Sequence, residues 1–302
     1  MHQRTIKKPV SLSGIGLHSG KTTQVTIQPA NPNMGVVFVR SDLPGAPSVR
    51  AHYENVKSTQ LATTIGRDSV TVSTVEHVLA ALAGLGVDNA VVVVDGPEVP
   101  IMDGSSQAFV EAIQSVGLQT QIQPRNVLNI LKRVEVKADG KWAVVEPSSG
   151  FEIHASIEWD HPIIGYQELN YQDGRGAFEE IASARTFGML RDVEGLKKMG
   201  LARGGSLENA VVLDDTRVLN PDGLRTPDEF VRHKVLDAIG DLKLGGFAIQ
   251  GNFRFHRSGH DLHYKLLAAI FSNPAHYEIV KATEEKEKKV VKKPRLAVAA
   301  AY

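Results

Sequence analysis

One stretch constrains this chain more than any other: an apolar helical repeat that carries a row of ionisable groups. Thr226-Pro227-Asp228-Glu229 sets a threonine at the N-cap, a proline at N1 and a glutamate at N3. That is a capping box, and it predicts a helix running to about residue 244, where Gly245-Gly246 stops it. Val231, Val235, Leu236, Ala238, Ile239 and Leu242 make the helix largely apolar, so part of its polar row must lie near buried surface. His233 and Asp237 are four apart on one face, with Cβ atoms about 6 Å apart, which suits a shared cation. Asp241 continues the row, and Lys234 overlies it on the adjacent stripe. Buried charge needs a partner or a metal. Taken alone, the same row also fits a solvated face with ordinary helical ion pairs.

Composition narrows the chemistry. The chain has no cysteine, which removes disulfides, thiolate nucleophiles and thiolate metal sites, so any metal must sit on His, Asp or Glu. Lys+Arg and Asp+Glu each number 34, but residues 281–295 hold seven bases against three acids, leaving 27 bases and 31 acids elsewhere. A body of that sign repels phosphate backbones and argues against nucleic acid as a partner. The basic tail could attract anions and make weak contact with an anionic membrane surface. The N-terminus has no apolar core of signal-peptide length, and no apolar run approaches the roughly 18 residues of a membrane span. The expectation is a cytoplasmic protein without a transmembrane segment.

The 302 residues exceed a single core and suggest two. Strand-like text fills residues 4–65, with alternation over 22–27 and a short apolar run over 35–39. Val75, Val78, Leu79, Leu82 and Leu85 predict a helix over 74–85, followed by a buried strand over 90–94 and a helix over 106–116. The polar residues 119–125 read as a linker, which divides the chain into domains 1–122 and 126–280 and leaves 281–302 as a charged tail. In the second part, 127–157 is strand-rich, a short helix covers 190–199, 247–255 is strand-like, and Ser258 caps a last helix reaching residue 271. Both parts read strands, helix, strand, helix. The fold class is therefore α+β, with a duplicated unit.

Three further residues carry possible chemistry. His77 opens the helix over 74–85, preceded by Glu76. Ser73-Thr74-Val75-Glu76 fits a capping box in which Glu76 bonds the Ser73 N–H; the competing reading makes Glu76 a base beside a histidine ligand. His260 lies at the start of the last helix, where the macrodipole opposes imidazolium. A nearby carboxylate such as Asp241 would offset that and tune a general acid.

Together these segments resemble the UDP-3-O-acyl-N-acetylglucosamine deacetylases, which carry out the committed step of lipid A synthesis in Gram-negative bacteria. The resemblance spans nearly the whole chain. It rests on Gly14-Ile-Gly-Leu-His18-Ser-Gly, Ser73-Thr-Val-Glu-His77, Ala83-Gly-Leu-Gly-Val-Asp-Asn89, Val99-Pro-Ile-Met-Asp-Gly-Ser105, Ala184-Arg-Thr-Phe-Gly188, the run from Asp228 to Asp241, and Ser258-Gly-His260. It implies two similar α+β domains, each a β-sheet layer with a helix pair, the helices packed inward in a sandwich. It also implies one Zn2+ per chain on His77, His233 and Asp237, with an open coordination position.

In the implied reaction Glu76 is the general base for the attacking water, and Thr186 and Lys234 stabilise the oxyanion. His260, backed by Asp241, protonates the departing glucosamine nitrogen. The implied substrate is UDP-3-O-acyl-N-acetylglucosamine, and the products are acetate and the free amine. Phe187 would contact the sugar or acyl region, and Leu190, Val193, Leu196 and Ala202 would line an apolar passage for the acyl chain. Trp159 would stack on uracil, and Arg257 belongs with the substrate contacts. The expected form is a monomer. Met189, Arg257 and the run Asp261-Leu-His-Tyr264 depart from the pattern of several relatives and touch no expected zinc ligand. Two rival readings remain: a ferrous oxygenase using the same two histidines and carboxylate, and a nucleotide-sugar binding protein without turnover.

Overall fold

The computed structural model describes residues 1–282; the tail from residue 283, with the anion attraction expected of it, lies outside the described residues. Alternation builds the first sheet. Its strands are preceded by β1 (His2–Ile6) and comprise β2 (Val10–Ile15), β3 (Thr22–Pro29), β4 (Val36–Arg40) and β5 (Ser48–Arg50). A small sheet follows, formed by β6 (Val56–Ser58), β7 (Thr64–Arg67) and β8 (Val70–Val72). Then come helix α1 (Glu76–Gly84), β9 (Ala90–Val94), helix α2 (Gln107–Val116) and β10 (Leu118–Pro124). Thr23, Val25 and Ile27 of β3, and Ala90, Val92 and Val94 of β9, point inward at every second position, as a half-buried strand requires. The sheet order is β2-β3-β9-β4-β5, with β9 parallel to β4 and the other pairs antiparallel. β1 pairs separately with β10.

The second unit contains β11 (Asn126–Ile130), β12 (Val134–Ala138), β13 (Lys141–Glu146), β14 (Phe151–Glu158) and β15 (Tyr166–Gln172). After β16 (Phe187–Met189), α3 (Leu190–Lys198) and β17 (Val211–Leu213) come α4 (Glu229–Leu242), β18 (Ala248–His256), α5 (His260–Phe271) and β19 (Tyr277–Lys281). Asp139 and Gly140, at φ 49° and 74°, form the tight turn between β12 and β13. The order β12-β13-β18-β14-β15 repeats the first sheet strand for strand, with β18 parallel to β14. β11 pairs with β19 as β1 does with β10. The duplication expected from the order of elements is thus present as topology. Each unit inserts its extra elements at the same place, between the fifth strand of the unit and the helix that follows.

The helices form the inner layer. Where α4 crosses α1, a Cβ built on Gly240 would lie 2.0 Å from the Glu76 carbonyl oxygen, so glycine is what lets the two backbones approach. This crossing brings the first turn of α1 beside the middle of α4. A continuous apolar core, from Val25 and Phe38 to Phe253 and Leu266, surrounds it. No helix among the described residues is long and apolar enough to cross a membrane.

Three local expectations fail, each through a tertiary partner. Residues 119–124, read as part of a linker over 119–125, belong to strand β10, because β1 offers an antiparallel edge. The capping box at Thr226 does not form: α4 starts at Glu229, and that carboxylate turns to Arg185 and to the Arg225 N–H. Ser258 does not cap α5; its hydroxyl meets His263 Nε2 at 3.0 Å.

Candidate active site

The chain enters α1 through a strained residue. Thr74 is β-branched yet has φ 57°, and its hydroxyl is held at 2.9 Å by the buried Glu98 carboxylate. Glu98 also accepts the His18 and Ser19 N–H groups, tying the loop after β2 to this turn. The Ser73 N–H bonds Pro97 and its hydroxyl pairs with Thr64, so the predicted capping box is absent here as well. Glu76 is freed to face the interior, where Oε2 accepts the Thr63 N–H at 3.0 Å. Glu76 is 2% exposed, and burial pushes its carboxyl up from the usual value against the opposing charge of His260.

His77, one residue on, meets two side chains of α4. Its Nε2 lies 3.6 Å from Asp237 Oδ1, and His233 Nε2 lies 3.3 Å from the same oxygen. The two imidazoles stand edge to face at 5.1 Å. His233 Nδ1–H donates to the Ala184 carbonyl at 3.0 Å, which fixes the ring and leaves its Nε2 lone pair directed at the cluster. Burial pushes His233 down to about 4 against the Asp237 charge, so the ring is neutral at pH 7. Burial alone would raise the Asp237 carboxyl, but the positive charges of Lys234 and His260 outweigh it and hold the group well below the usual range. Lys234 Nζ donates to Asp237 Oδ2 at 2.9 Å. Asp237 Oδ1 and His77 Nδ1 are buried without a hydrogen-bond partner among the described residues. Two imidazoles and a carboxylate converging on an unsatisfied buried oxygen fit a divalent metal with N and O ligands, and all three donor atoms lie within 4.8 Å of one another.

One turn further along α4, Asp241 receives three donors. Oδ2 accepts from His260 Nδ1 and from His263 Nδ1, each at 2.8 Å, and Oδ1 accepts the Thr63 hydroxyl at 2.5 Å. Burial opposes charge on His260, but the Asp241 charge and hydrogen bond outweigh it and push the imidazole up to about 10. The other ring nitrogen, Nε2, lies 3.9 Å from Glu76 Oε1. The site thus contains a neutral imidazole among metal-type donors and, one turn further along α4, a protonated imidazole that faces a buried carboxylate at 3.9 Å.

A loop before β16 forms another wall. Buried Arg185 makes bonds of 2.8 and 3.1 Å to the Glu229 carboxylate, which fixes the Ala184 carbonyl on one side and Thr186 on the other. Thr186 is further held by its N–H to Gly104 and its carbonyl to Val211. Phe187 stands 6.4 Å from the His233 ring, with Lys234 Nζ 5.5 Å above its face, and Trp159 packs edge-on at 5.5 Å. Trp159 is partly exposed at this rim. Arg257 follows β18 with φ 50° and reaches Glu158 at 3.7 Å. Helix α3 buries none of its residues, so Leu190, Val193 and Leu196 are not packed into the core. Ala202 lies beyond it and donates its N–H to His18 Nδ1 at 3.3 Å.

The structure therefore brings His77, His233 and Lys234 together on Asp237, and Glu76 and Asp241 together on His260, the two sets being linked through α4 and the Glu76-His77 step of α1, with Phe187 beside His233 and Lys234. Thr63, Glu98, Arg185, Glu229 and His263 were missed as supports of the site. His263 left one signal: it sits one helical turn after His260. Such an arrangement can polarise and cleave an acyl bond with separate base and acid groups.

Comparison with known proteins agrees over nearly the full length. The profile of the UDP-3-O-acyl N-acetylglycosamine deacetylase family matches residues 3–272. A UDP-3-O-acyl-N-acetylglucosamine deacetylase of Myxococcus xanthus (strain DK1622) is 53% identical over 282 residues, covering 93% of this chain and 90% of that relative. Proteins of the same description from Shewanella violacea and Haemophilus influenzae (strain 86-028NP) are 47% and 46% identical over 289 residues, with 94% of each chain covered. The chain belongs to the UDP-3-O-acyl N-acetylglycosamine deacetylase family.

Proposed function

We propose that this protein hydrolyses the acetamide of UDP-3-O-acyl-N-acetylglucosamine to UDP-3-O-acyl-glucosamine and acetate, with one zinc ion on His77, His233 and Asp237. The observation that carries the reading is the Glu76 and His260 pair beside the metal-type donors: base and acid 3.9 Å apart at one reacting centre. Bound zinc supplies Lewis acidity, lowering the pKa of water and polarising the acetamide carbonyl. Glu76 takes a proton as water oxygen bonds to the carbonyl carbon. The Thr186 hydroxyl and Lys234 ammonium stabilise the negative charge that gathers on the carbonyl oxygen. The carbon–nitrogen bond then breaks as His260 gives its Nε2 proton to the leaving nitrogen.

Phe187 and Trp159 form an aromatic rim suited to the sugar nucleotide, and Arg257, in the turn after β18, belongs with these contacts. The partly exposed Leu190, Val193 and Leu196 of α3, with Ala202, offer an apolar surface to the acyl chain. The reading places the work in lipid A synthesis, in the cytoplasm, by a monomer. Incubation with UDP-3-O-acyl-N-acetylglucosamine tests it by product mass spectrometry: acetate and amine should appear in equal amounts without oxygen consumption. Substrate bound and recovered intact would instead mark a binding protein, and oxygen uptake would mark an oxygenase.

A further inference from the structure

Asp241 serves two imidazoles through one oxygen. His263 is inaccessible to solvent, donates Nδ1–H to Asp241 Oδ2 at 2.8 Å, and meets the Ser258 hydroxyl through Nε2 at 3.0 Å. Its ring stands edge to face on Phe255 at 4.9 Å, so it is held on three sides. His260 donates to the same Oδ2 at the same distance. If His263 only filled space in the core, an apolar ring would fit this position without the cost of burying two polar nitrogens.

A donor to a carboxylate stabilises its negative charge and weakens the pull of that charge on the other protons it holds. An Asp241 bonded to His260 alone would bind the His260 proton more tightly, and an acid held too far above the working pH gives up its proton slowly. The other groups facing His260 are Glu76 from α1, Asp237 and Asp241 from α4, and His18 from the loop after β2. Among the described residues, only His263 acts through the oxygen that His260 itself uses.

We propose that His263 is a positioning residue for the acid step: by sharing Asp241 Oδ2 it limits the negative charge directed at His260 and keeps the His260 proton transferable to the leaving amine. The proposal rests on the acid role assigned to His260. It makes no use of substrate contacts.

The test uses the zinc-loaded enzyme with nitrogen-15 histidine, reading the His260 titration by NMR alongside kcat/KM against pH. His263→Phe keeps an aromatic ring and removes both nitrogens. Its His260 titration and the alkaline limb of the profile should both move up by about half a pH unit or more, with kcat reduced. His263→Gln places its amide toward Ser258, away from Asp241, and should behave like the phenylalanine variant; it keeps the test open if that variant fails to fold. His263→Asn puts an N–H where Nδ1 stood and should titrate like the parent. Parent-like titration in both the Phe and Gln variants, or an upward move in the Asn variant equal to theirs, would overturn the proposal. Parent-level activity in His260→Ala would remove instead the acid assignment on which it stands.

Discussion

The Glu76 carboxylate and the His260 imidazole, carried by helices of different units, face each other at 3.9 Å. The two groups are held in different ways: Glu76 by the Thr63 N–H, and His260 by Asp241, which the Thr63 hydroxyl also holds. Thr63 thus ties the base to the carboxylate that supports the acid. Glu76→Ala and His260→Ala should each retain the metal and lose deacetylation by roughly two or more orders of magnitude. Metal analysis with steady-state kinetics checks both variants; a parent-like rate in either removes that residue from the mechanism.

The proton on His260 also makes stability depend on pH. Its ordinary value is 6.5, and in the fold burial opposes the charge while Asp241 outweighs burial and pushes it up to about 10. The folded state holds this proton more tightly, so the contribution is complete below about 6.5, declines above it, and is gone once pH has risen through about 10. The urea midpoint of the parent should therefore fall between those values, and that of His260→Ala should fall less. Parallel slopes would show that the pair contributes nothing.

Gly240 is predicted to be intolerant despite its helical position. Alanine is the better helix former by about 1 kcal/mol, but its Cβ would meet the Glu76 carbonyl at 2.0 Å. Gly240→Ala should destabilise by about 1–3 kcal/mol through overpacking and weaken metal binding, because the same crossing sets His77 against His233 and Asp237. Denaturation and metal titration of one preparation measure the two effects. An unchanged or raised stability would mean that the helices separate at no cost.

The Arg185 and Glu229 pair is buried on both sides. Arg185→Met leaves the carboxylate without its main partner and should cost about 3–5 kcal/mol. The loop that carries the Ala184 carbonyl and Thr186 should loosen with it, so metal affinity and kcat should both fall. Urea denaturation gives the first number, and a loss under 1 kcal/mol would place the value of this pair outside stability.

These cases show what a sequence reveals and what it hides. Helical spacing for α1, and the start at Thr226 with the Gly245-Gly246 stop for α4, placed both helices to within a few residues, and spacing put His233, Asp237 and Asp241 on one face. His77 could not be joined to them by spacing, because the contact depends on a close crossing of two helices that Gly240 permits. Glu76 and Glu229 both carried the local signature of a capping box, and in both the carboxylate went to a partner distant in sequence. Ser258 looked like a cap and is a hydrogen-bond partner of His263. The local signature records which groups are available; the tertiary fold decides which partner each one meets. The strand β10 shows the same limit, since its polar residues gain a strand conformation only from pairing with β1.

The central claim is that His77, His233 and Asp237 hold a metal that deacetylation requires. Metal content and acetate release, measured on one preparation with UDP-3-O-acyl-N-acetylglucosamine, test it most directly. About one zinc per chain is expected, with activity lost on chelation and restored by zinc, and with His77→Ala and Asp237→Ala lowering metal content and rate together. Acetate release that survives complete removal of metal, or a fully loaded protein that leaves this substrate intact, would contradict the account.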